Sequence, residues 1–385
     1  MLIVDNPYVS ELLQETAIVN NFEILNNTKK GSITLKPELN YITSDNAANL
    51  IKNNPNHKIY CNSENSINWI NENLKFTDLP DKITLFKDKV KFRQILKEIY
   101  PDFYFEEVNY DELESIQTNE LKFPFIIKPA VGFLSIGVHV VNSEHEWKNT
   151  IKELKEEIEA TKNLFPKEVV DTKNFIIEEI IEGDEYAIDA YFDENGSPVI
   201  LNILKHPFSS GKDVSDRLYY TSKKIIQDNF IKTEKLLEEI GKITKIKNFP
   251  MHIEVRIEEE NIIPIEVNPM RFAGWCCTDL AYFAYGINIY EYFLHQKKPN
   301  WEEIFNKVDD SEFYFNIADI PATTEKRPIK NFDYNGYLSN FSNVIEVRKI
   351  DFNKNPLFGI FFGSTPSHDE IKKLLTIDIP KYIKY

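Results

Sequence analysis

The segment MHIEVRIEEENIIPIEVNPMRFAGW, residues 251–275, carries the clearest secondary-structure signal in this chain. Apolar and polar residues alternate over 251–258 and again over 261–269, and a short acidic turn separates the two runs. This period of two is typical of β-strands whose side chains point alternately to opposite faces. The stretch therefore predicts an antiparallel hairpin, followed by a helical stretch from about Thr278.

The polar faces of the two predicted strands carry the chemistry of the hairpin. His252, Glu254 and Arg256 share one face of the first strand, and Glu266 and Asn268 share one face of the second. If both faces point to the same side, two carboxylates and an amide oxygen converge in a cleft lined otherwise by Ile and Val. Oxygen ligands without a His/Cys set suit Mg²⁺ or Mn²⁺. A half-exposed hairpin with solvated glutamates explains the same pattern equally well.

A lysine lies inside a second apolar run further upstream. The segment FPFIIKPA (123–130) predicts a strand that contains Lys128, and the Gly/Ser loop after it includes Ser135. Backbone N–H groups of such a loop, with the Ser135 hydroxyl, can bind phosphate oxygens. An unpaired ammonium in an apolar strand is costly. Lys128 is therefore expected either to pair with an acid or to bind an anionic ligand, and local sequence favours neither.

The elements between these two segments predict a mixed α/β (α+β) fold. Asp88 precedes a run of helical period that starts at Lys89 and stops before Pro101. The run NFIIEE (174–179) predicts a buried strand, and Asn195-Gly196 is a strong hairpin signal. The sheet is thus expected to be at least partly antiparallel. Short apolar runs, including ITL at residues 33–35, predict a small α/β unit at the start of the chain.

An acidic connection links these strands. Glu178 and Glu179 end one predicted strand, and Glu185 begins the next one after Gly183. A connection of this kind can pair with an adenine edge through its backbone while a carboxylate binds ribose hydroxyls. Solvated acidic loops are the commoner explanation. On these residues alone, the solvated loop is therefore favoured.

Composition limits the classes of partner. The chain has 385 residues and a formal net charge of −16, which opposes general attraction to nucleic acid or anionic lipid. No apolar run is long enough to cross a bilayer, so a cytoplasmic location is expected. The three cysteines, at positions 61, 276 and 277, do not form an even framework and are expected to be reduced core thiols.

Taken in order, these motifs resemble the ATP-grasp superfamily, which includes D-alanine:D-alanine ligase, biotin carboxylase and many amino-acid ligases. The resemblance spans about residues 80–295, and its most specific parts are FPFIIKPAVGFLSIGV, IIEEIIEGDEY and MHIEVRIEEENIIPIEVNPMRFAGW. It implies an N-terminal Rossmann-like α/β domain at 1–85, an ATP-binding pair of α+β subdomains at 86–300 with a hinge near 178–183, and a C-terminal α+β extension at 301–385.

The resemblance also implies a role for individual residues. The ATP-binding set comprises two phosphate-contacting lysines, a loop serine, the adenine hinge and a ribose carboxylate: Lys89, Lys128, Ser135, Glu178, Glu179, Ile181 and Glu185. The implied ligands of Mg²⁺ or Mn²⁺ are Glu254, Glu266 and Asn268. Arg271 matches a basic residue near an acyl phosphate or a substrate carboxylate, and is the implied catalytic residue together with Lys128.

By the same resemblance, the chain is expected to be an ATP-dependent carboxylate–amine ligase that forms a C–N bond through an acyl phosphate and releases ADP and phosphate. Small carboxylate and amine substrates are implied, with no nucleic-acid or membrane partner; a homodimer is left open. The alternatives are an ATP-grasp carboxylase, a kinase-like enzyme and a non-catalytic nucleotide-binding regulatory protein. Lys205, His206 and Arg217 are considered as substrate contacts without a decision.

Overall fold

In a computed structural model of the chain, the described residues are 1–29, 31–132, 137–161, 173–210, 215–321 and 327–385. Over these residues helices alternate with strands that form sheets of four, four, eight and two strands. The predicted mixed α/β fold is therefore confirmed.

The first four-stranded sheet is parallel, in the order β3-β2-β1-β4. Its strands are β1 (Leu2–Val4), β2 (Glu23–Asn26), β3 (Asn40–Ile42) and β4 (Tyr60–Cys61), and its helices are α1 (Glu11–Val19), α2 (Ser44–Asn53), α3 (Ile67–Asn73) and α4 (Leu79–Lys87). The apolar run at 33–35 forms no strand of this sheet. Those residues lie between Gly31, with φ of +77°, and Pro37, and they pack on the core without joining a ladder.

The second four-stranded sheet is antiparallel, in the order β5-β8-β6-β7. Its elements are α5 (Lys89–Leu96), β5 (Phe105–Asn109), β6 (Phe125–Pro129), β7 (His139–Val141), α6 (Glu144–Thr161) and β8 (Asn174–Glu179). Phe125, Ile127, Phe175 and Ile177 pack with α6 on one face of this sheet. Because strand side chains alternate, the opposite face is left to carry polar residues.

The eight-stranded sheet has the order β13-β12-β9-β10-β11-β14-β17-β16 and is antiparallel throughout. Its strands are β9 (Asp184–Phe192), β10 (Pro198–His206), β11 (Leu218–Thr221), β12 (Phe249–Glu258), β13 (Asn261–Pro269), β14 (Glu312–Asp319), β16 (Asn343–Lys349) and β17 (Leu357–Thr365). Both predicted hairpins, around Asn195-Gly196 and within 251–269, are confirmed.

The remaining elements follow the sheets along the chain. They are α7 (Lys223–Thr244), α8 (Leu280–Tyr285), α9 (Ile289–Leu294), α10 (Trp301–Phe305), β15 (Asn331–Phe332), α11 (Tyr334–Leu338), α12 (His368–Leu375) and β18 (Ile383–Lys384). The helical stretch predicted from Thr278 begins as a 3₁₀ turn at Gly274–Asp279. Three strands from 301–385 continue the eight-stranded sheet, and the bounds of the three predicted units stay a prediction.

Two sequence-based exclusions can be compared with the described residues. No helix among them combines the length and the apolarity needed to cross a membrane. The three cysteines are buried and free, as predicted. Burial raises the pKa of Cys276 to about 11, so this thiol is a core group at neutral pH rather than a reactive thiolate.

Candidate active site

A cavity of about 1010 Å³ lies between the polar face of the second sheet and the eight-stranded sheet. The loop after β8, the start of α5 and one side of α12 complete its walls. Ten of the predicted site residues line it: Lys89, Lys128, Glu178, Glu179, Ile181, Glu185, Glu254, Glu266, Asn268 and Arg271. Ser135, the eleventh, lies outside the described residues.

The hairpin β12–β13 brings its polar side chains to one side of the sheet. Glu254 lies directly opposite Glu266, and His252 lies opposite Asn268. Cross-strand partners in an antiparallel pair point to the same face. Asn268 Nδ2 donates to Glu254 Oε1 at 3.4 Å. The convergence predicted from alternation is thus present in the geometry.

The two hairpin carboxylates differ in their electrostatic surroundings. Burial, together with the charge of Glu266, raises the pKa of Glu254 well above its usual range. Burial would also raise the pKa of Glu266, but Lys89 outweighs it and lowers that pKa. Lys89 Nζ lies 2.7 Å from Glu266 Oε2. Glu254 therefore has a carboxylate neighbour and no ion pair of its own with a lysine or arginine among the described residues.

Helix α5 positions Lys89. The side chain of Asp88 caps the helix by accepting hydrogen bonds from the N–H groups of Val90 and Lys91. The N–H of Lys89 donates to Ala130 O at 2.8 Å, which pins the first turn to the end of β6. Capping by Asp is a local property of the sequence, whereas the contact with Ala130 sets where the lysine enters the cavity.

Lys128 and Glu178 face the cavity from adjacent strands. Lys128 of β6 lies opposite Ile176 of β8, so Glu178, two residues on, is its diagonal neighbour on the same face. Lys128 Nζ is 2.5 Å from Glu178 Oε1, and Arg93 Nε donates to Glu178 Oε2 at 2.7 Å. Lys128 is therefore paired with an acid, one of the two outcomes that its place in an apolar strand predicts.

Glu178 forms ion pairs with both Lys128 and Arg93, and these pairs shift the pKa of Glu178. Burial would raise the pKa of Glu178, but Lys128 and Arg93 outweigh it and hold the pKa at about 2. Burial lowers the pKa of Lys128 despite its pairing with Glu178, and the positive charges of nearby Lys89 and Arg93 lower it further. Positive charge is in excess around Lys128, as an anionic ligand requires.

Arg271 connects the hairpin to the first unit of the chain. Its Nε and Nη2 donate to Glu64 Oε1 at 3.2 and 2.8 Å, and its Nη1 donates to Phe272 O at 2.9 Å. Lys87 forms an ion pair with the other oxygen of Glu64. Burial would raise the pKa of Glu64, but Lys87 and Arg271 outweigh it and hold it at about 2. Arg271 is only 8% exposed.

The connection between β8 and β9, which contains the predicted hinge, forms one wall of the cavity. Glu185 accepts from Arg256 Nη2 at 3.2 Å and lies 3.1 Å from His206 Nδ1. Arg256 Nη1 also donates to Ile181 O at 3.3 Å. Gly183 has a φ of +103°, and a Cβ there would lie 2.5 Å from Ile257 O. Only glycine fits this close approach of the connection to β12.

Of the three residues considered as substrate contacts, two line the cavity and Arg217 is not among the described residues that do. Lys205 and His206 line the cavity, where Lys205 pairs with Asp184 at 2.6 Å. Arg217 is not among the described residues that line it, and its Nη2 donates to Asp319 Oδ1 at 3.1 Å. Lys205 and His206 are therefore placed to meet a ligand, whereas the recorded side-chain partners of Arg217 are Asp319 and Leu375 O.

The buried carboxylate of Asp189 contacts both the hairpin and the turn that follows it. Asp189 of β9 is fully buried and accepts hydrogen bonds from Ala273 N at 2.9 Å and Thr278 Oγ1 at 2.7 Å. His252 Nδ1 lies 2.8 Å from the same carboxylate, and His252 Nε2 lies 3.7 Å from Glu254 Oε1. Asp189 thus joins the strand that carries Glu254 to the turn that carries Arg271.

The donor set of the hairpin fits a divalent cation. Among the described residues no group of three or more His, Cys, Asp or Glu side chains is arranged for a metal. Two carboxylates and an amide oxygen nevertheless converge, and Glu254 is held next to a like charge. Mg²⁺ commonly uses one or two carboxylates plus substrate phosphates. The residues present therefore suit Mg²⁺ or Mn²⁺ bound together with a phosphorylated ligand.

Several groups in the cavity wall, or paired with the residues that line it, have no counterpart in the sequence-based prediction. Glu64 and Lys87 come from the first unit, and Arg93 stands behind Glu178. His368, Ile371, Lys372 and Leu375 bring α12 into the wall. Only Arg93 has a sequence signal, because it lies four residues after Lys89 and so shares a helix face with it.

Comparison with known proteins supports this geometry. Residues 121–279 match the family model described as an ATP-grasp domain. This is the family that the motifs of the chain resemble. No curated protein sequence matches the chain.

Solved structures extend the likeness to the whole chain. L-amino acid ligase from Bacillus licheniformis has a TM-score of 0.66 at 15% identity, covering 100% of this chain and 98% of that one. Phosphoribosylglycinamide synthetase from Anaerococcus prevotii has a TM-score of 0.60 at 16% identity, with coverage of 100% and 98%. Biotin carboxylase from Campylobacter jejuni has a TM-score of 0.61 at 11% identity, with coverage of 100% and 91%. The fold is thus the ATP-grasp fold over the full length.

Proposed function

We propose that this chain is an ATP-dependent carboxylate–amine ligase that forms an amide or peptide bond through an acyl phosphate and releases ADP and phosphate. The observation that carries the proposal is the single cavity in which Lys89, Lys128 and Arg271 face Glu254 and Glu266. Such a site neutralises a polyphosphate and holds a divalent cation next to it.

Binding of ATP would exchange the present ion pairs for phosphate contacts. Lys89 and Lys128 are now paired with Glu266 and Glu178. A phosphate oxygen that replaces either carboxylate keeps each buried ammonium paired, so the exchange leaves no charge uncompensated. Mg²⁺ or Mn²⁺, held by Glu254, Glu266 and Asn268, would supply further neutralisation of the transferring phosphoryl group.

The proposed reaction has two steps. A carboxylate oxygen of the first substrate attacks the γ-phosphorus of ATP, an O–P bond forms, and the bond to the ADP oxygen breaks. The amine of the second substrate then attacks the acyl carbon, a C–N bond forms, the C–O bond to phosphate breaks, and the amine loses a proton. Arg271 would offset the negative charge that develops on the acyl phosphate and the tetrahedral intermediate.

The likeness to solved ligases supports the same class of reaction. The proteins named L-amino acid ligase and phosphoribosylglycinamide synthetase are each covered over 98% of their length. Identities of 15% and 16% leave the substrates of this chain open. An amino acid or a short peptide is the proposed class, because Lys205, His206 and Lys372 add cationic and polar groups to the cavity wall.

The test is an isotope-transfer assay on the purified chain with ATP and Mg²⁺. Pairs of amino acids and small acids are screened for ADP release, and the active pair is repeated with ¹⁸O in the carboxylate. An acyl phosphate predicts that one ¹⁸O appears in the released phosphate and that mass spectrometry finds the amide.

Each rival activity gives a different product in that assay. Bicarbonate-dependent ADP release with a carboxylated amine would show a carboxylase, and a stable phosphorylated product would show a kinase-like enzyme. Nucleotide binding with no turnover for any pair would indicate a non-catalytic protein. Each of these results would overturn the proposal.

A further inference from the structure

Arg93 is a buried cation next to the cavity that no step of the proposed reaction uses. It lies on α5, one helical turn after Lys89, and is 2% exposed. Its guanidinium stacks over Phe103 with 4.3 Å to the ring centroid. It is not among the described residues that line the cavity. Arg93 therefore makes no direct contact with a ligand in the cavity.

The residue between Arg93 and the cavity is Glu178. Arg93 Nε binds Glu178 Oε2 at 2.7 Å, while Lys128 Nζ binds Glu178 Oε1 at 2.5 Å. Lys128 lines the cavity, and Glu178 is 1% exposed. The three groups form a buried row in which one carboxylate is shared by two cations, so the row carries one uncompensated positive charge.

Arg93 also lacks one of the hydrogen bonds that its guanidinium can form. Its Nη2 is buried and has no hydrogen-bond partner among the described residues. Buried polar groups in proteins are nearly always paired, and an unpaired one is costly. The buried guanidinium thus leaves part of its hydrogen-bonding capacity unused. Such an arrangement lowers the stability of the fold and so has no explanation in stability alone.

We infer that Arg93 is a positioning residue for nucleotide binding: by sharing Glu178 with Lys128, it prevents that carboxylate from cancelling the lysine's charge towards a phosphate. This inference rests on the proposed function, since it requires a nucleotide in the cavity. Without Arg93, the row would hold one carboxylate and one ammonium, and Lys128 would have to leave a fully compensating partner in order to meet a phosphate.

The test measures the affinity of Mg·ADP by calorimetry for the full chain and a set of variants. Removing the charge in Arg93→Gln should weaken binding roughly tenfold, the scale of a charge interaction across a partly screened site. Arg93→Lys keeps the charge and should bind more tightly than Arg93→Gln. In the structure both oxygens of Glu178 bind Arg93 and Lys128, so we take its carboxylate to act on the nucleotide through Lys128 and not as a direct contact. Arg93→Gln/Glu178→Gln removes both charges, frees Lys128, and should restore most of the lost affinity.

The double variant shows whether Arg93 acts on Lys128 or only on packing. If Arg93 had a purely structural role, the added Glu178→Gln substitution would not restore the affinity for Mg·ADP. Arg348→Gln is the matched control: Arg348 is 6% exposed and donates to Asp279 Oδ2 at 2.7 Å, away from the residues that line the cavity. Its loss should lower the unfolding temperature and leave the affinity for Mg·ADP unchanged.

The outcomes distinguish the inference from the function on which it rests. If the wild type does not bind Mg·ADP, the proposed function fails and the inference fails with it. If the wild type binds and Arg93→Gln binds equally well, or the double variant is no tighter than Arg93→Gln, the inference alone is overturned. Should Arg93→Gln fail to fold, the double variant decides the matter, and weak binding by the folded double variant overturns the inference.

Discussion

Arg271 donates two hydrogen bonds to one oxygen of Glu64, at 2.8 and 3.2 Å, across 207 residues of sequence. This contact joins the first unit of the chain to the hairpin that carries the proposed metal ligands. Lys87 completes the neutralisation of Glu64. Since all three groups are buried, removing one of them leaves an uncompensated charge, and stability and function are linked at this point.

The first prediction concerns the pH dependence of stability. The pKa of Glu64 is about 2 in the folded chain against an ordinary value of 4.5. A lowered folded pKa stabilises the fold above the unfolded pKa, and that contribution is lost as pH falls from about 4.5 towards about 2. The difference corresponds to on the order of 3 kcal/mol. Urea unfolding between pH 6 and pH 3 should show part of this loss.

The matched variant for that measurement is Glu64→Gln. Its free energy of unfolding should be lower than that of the wild type at pH 6 and should fall less steeply on acidification, because the group that titrates is absent. Parallel slopes for the two proteins would contradict the assignment. The exposed Glu258 on the hairpin supplies a control, and Glu258→Gln should retain the slope of the wild type.

The second prediction concerns Arg271 in catalysis. If its guanidinium offsets charge that develops in the transition state, Arg271→Ala should lower the turnover number by a factor on the order of 10² to 10³. The affinity for ATP should change little. Steady-state kinetics with the substrate pair found in the screen measures both. A raised Michaelis constant for the carboxylate with intact turnover would instead indicate ground-state binding only.

Arg217 gives the control for that experiment. It directly precedes β11, pairs with Asp319 at 3.1 Å and is not among the described residues that line the cavity. Arg217→Ala should therefore change stability without the loss of turnover expected for Arg271→Ala. Equal losses in both variants would point to a general packing effect.

The third prediction concerns the metal. Glu266→Gln should weaken binding of Mn²⁺ in the presence of ADP, as measured by electron paramagnetic resonance, because a neutral amide is a poorer ligand for a hard cation than a carboxylate. The chain should still unfold cooperatively, since Glu266 is 26% exposed at its side chain and is not part of the core. Glu258→Gln, on the same hairpin, should bind Mn²⁺ as the wild type does. Unchanged Mn²⁺ binding by Glu266→Gln would remove Glu266 from the metal site.

The elements that the sequence predicts are those with local signals. Asn195-Gly196 fixes one hairpin, the alternation over 251–269 fixes the other, and Asp88 fixes the start of α5. The convergence of Glu254, Glu266 and Asn268 follows from that alternation once the register is known. Local pattern alone fails at residues 33–35, where an apolar run packs on the core without pairing to a strand.

The contacts that the sequence does not predict are set by the meeting of distant elements. Nothing around Glu64 indicates a partner 207 residues away. The pairing of Lys128 with Glu178 depends on the register of β6 and β8, which the sequence leaves open. The entry of helix α12 into the cavity wall depends on the strands β14 and β17 that it packs against.

The last prediction concerns Asp189, which three donors from two different segments share. Its carboxylate accepts from Ala273 N and Thr278 Oγ1 and contacts His252 Nδ1 at 2.8 Å. In Asp189→Asn the new NH₂ group either faces the donors Ala273 N and His252 Nδ1 or requires the Thr278 hydroxyl to accept instead of donate, and the charge-assisted hydrogen bonds are lost. The free energy of unfolding should fall by about 2 to 4 kcal/mol. Asp228→Asn, on the exposed side of α7, should change it by less than about 0.5 kcal/mol.

Asp189 also fixes the turn that carries Arg271. The turnover number of folded Asp189→Asn should therefore be lower than that of the wild type, while the two proteins bind nucleotide with equal affinity. A variant of normal stability would show that the three donors find other acceptors, and the link between β12 and the turn would then not depend on Asp189.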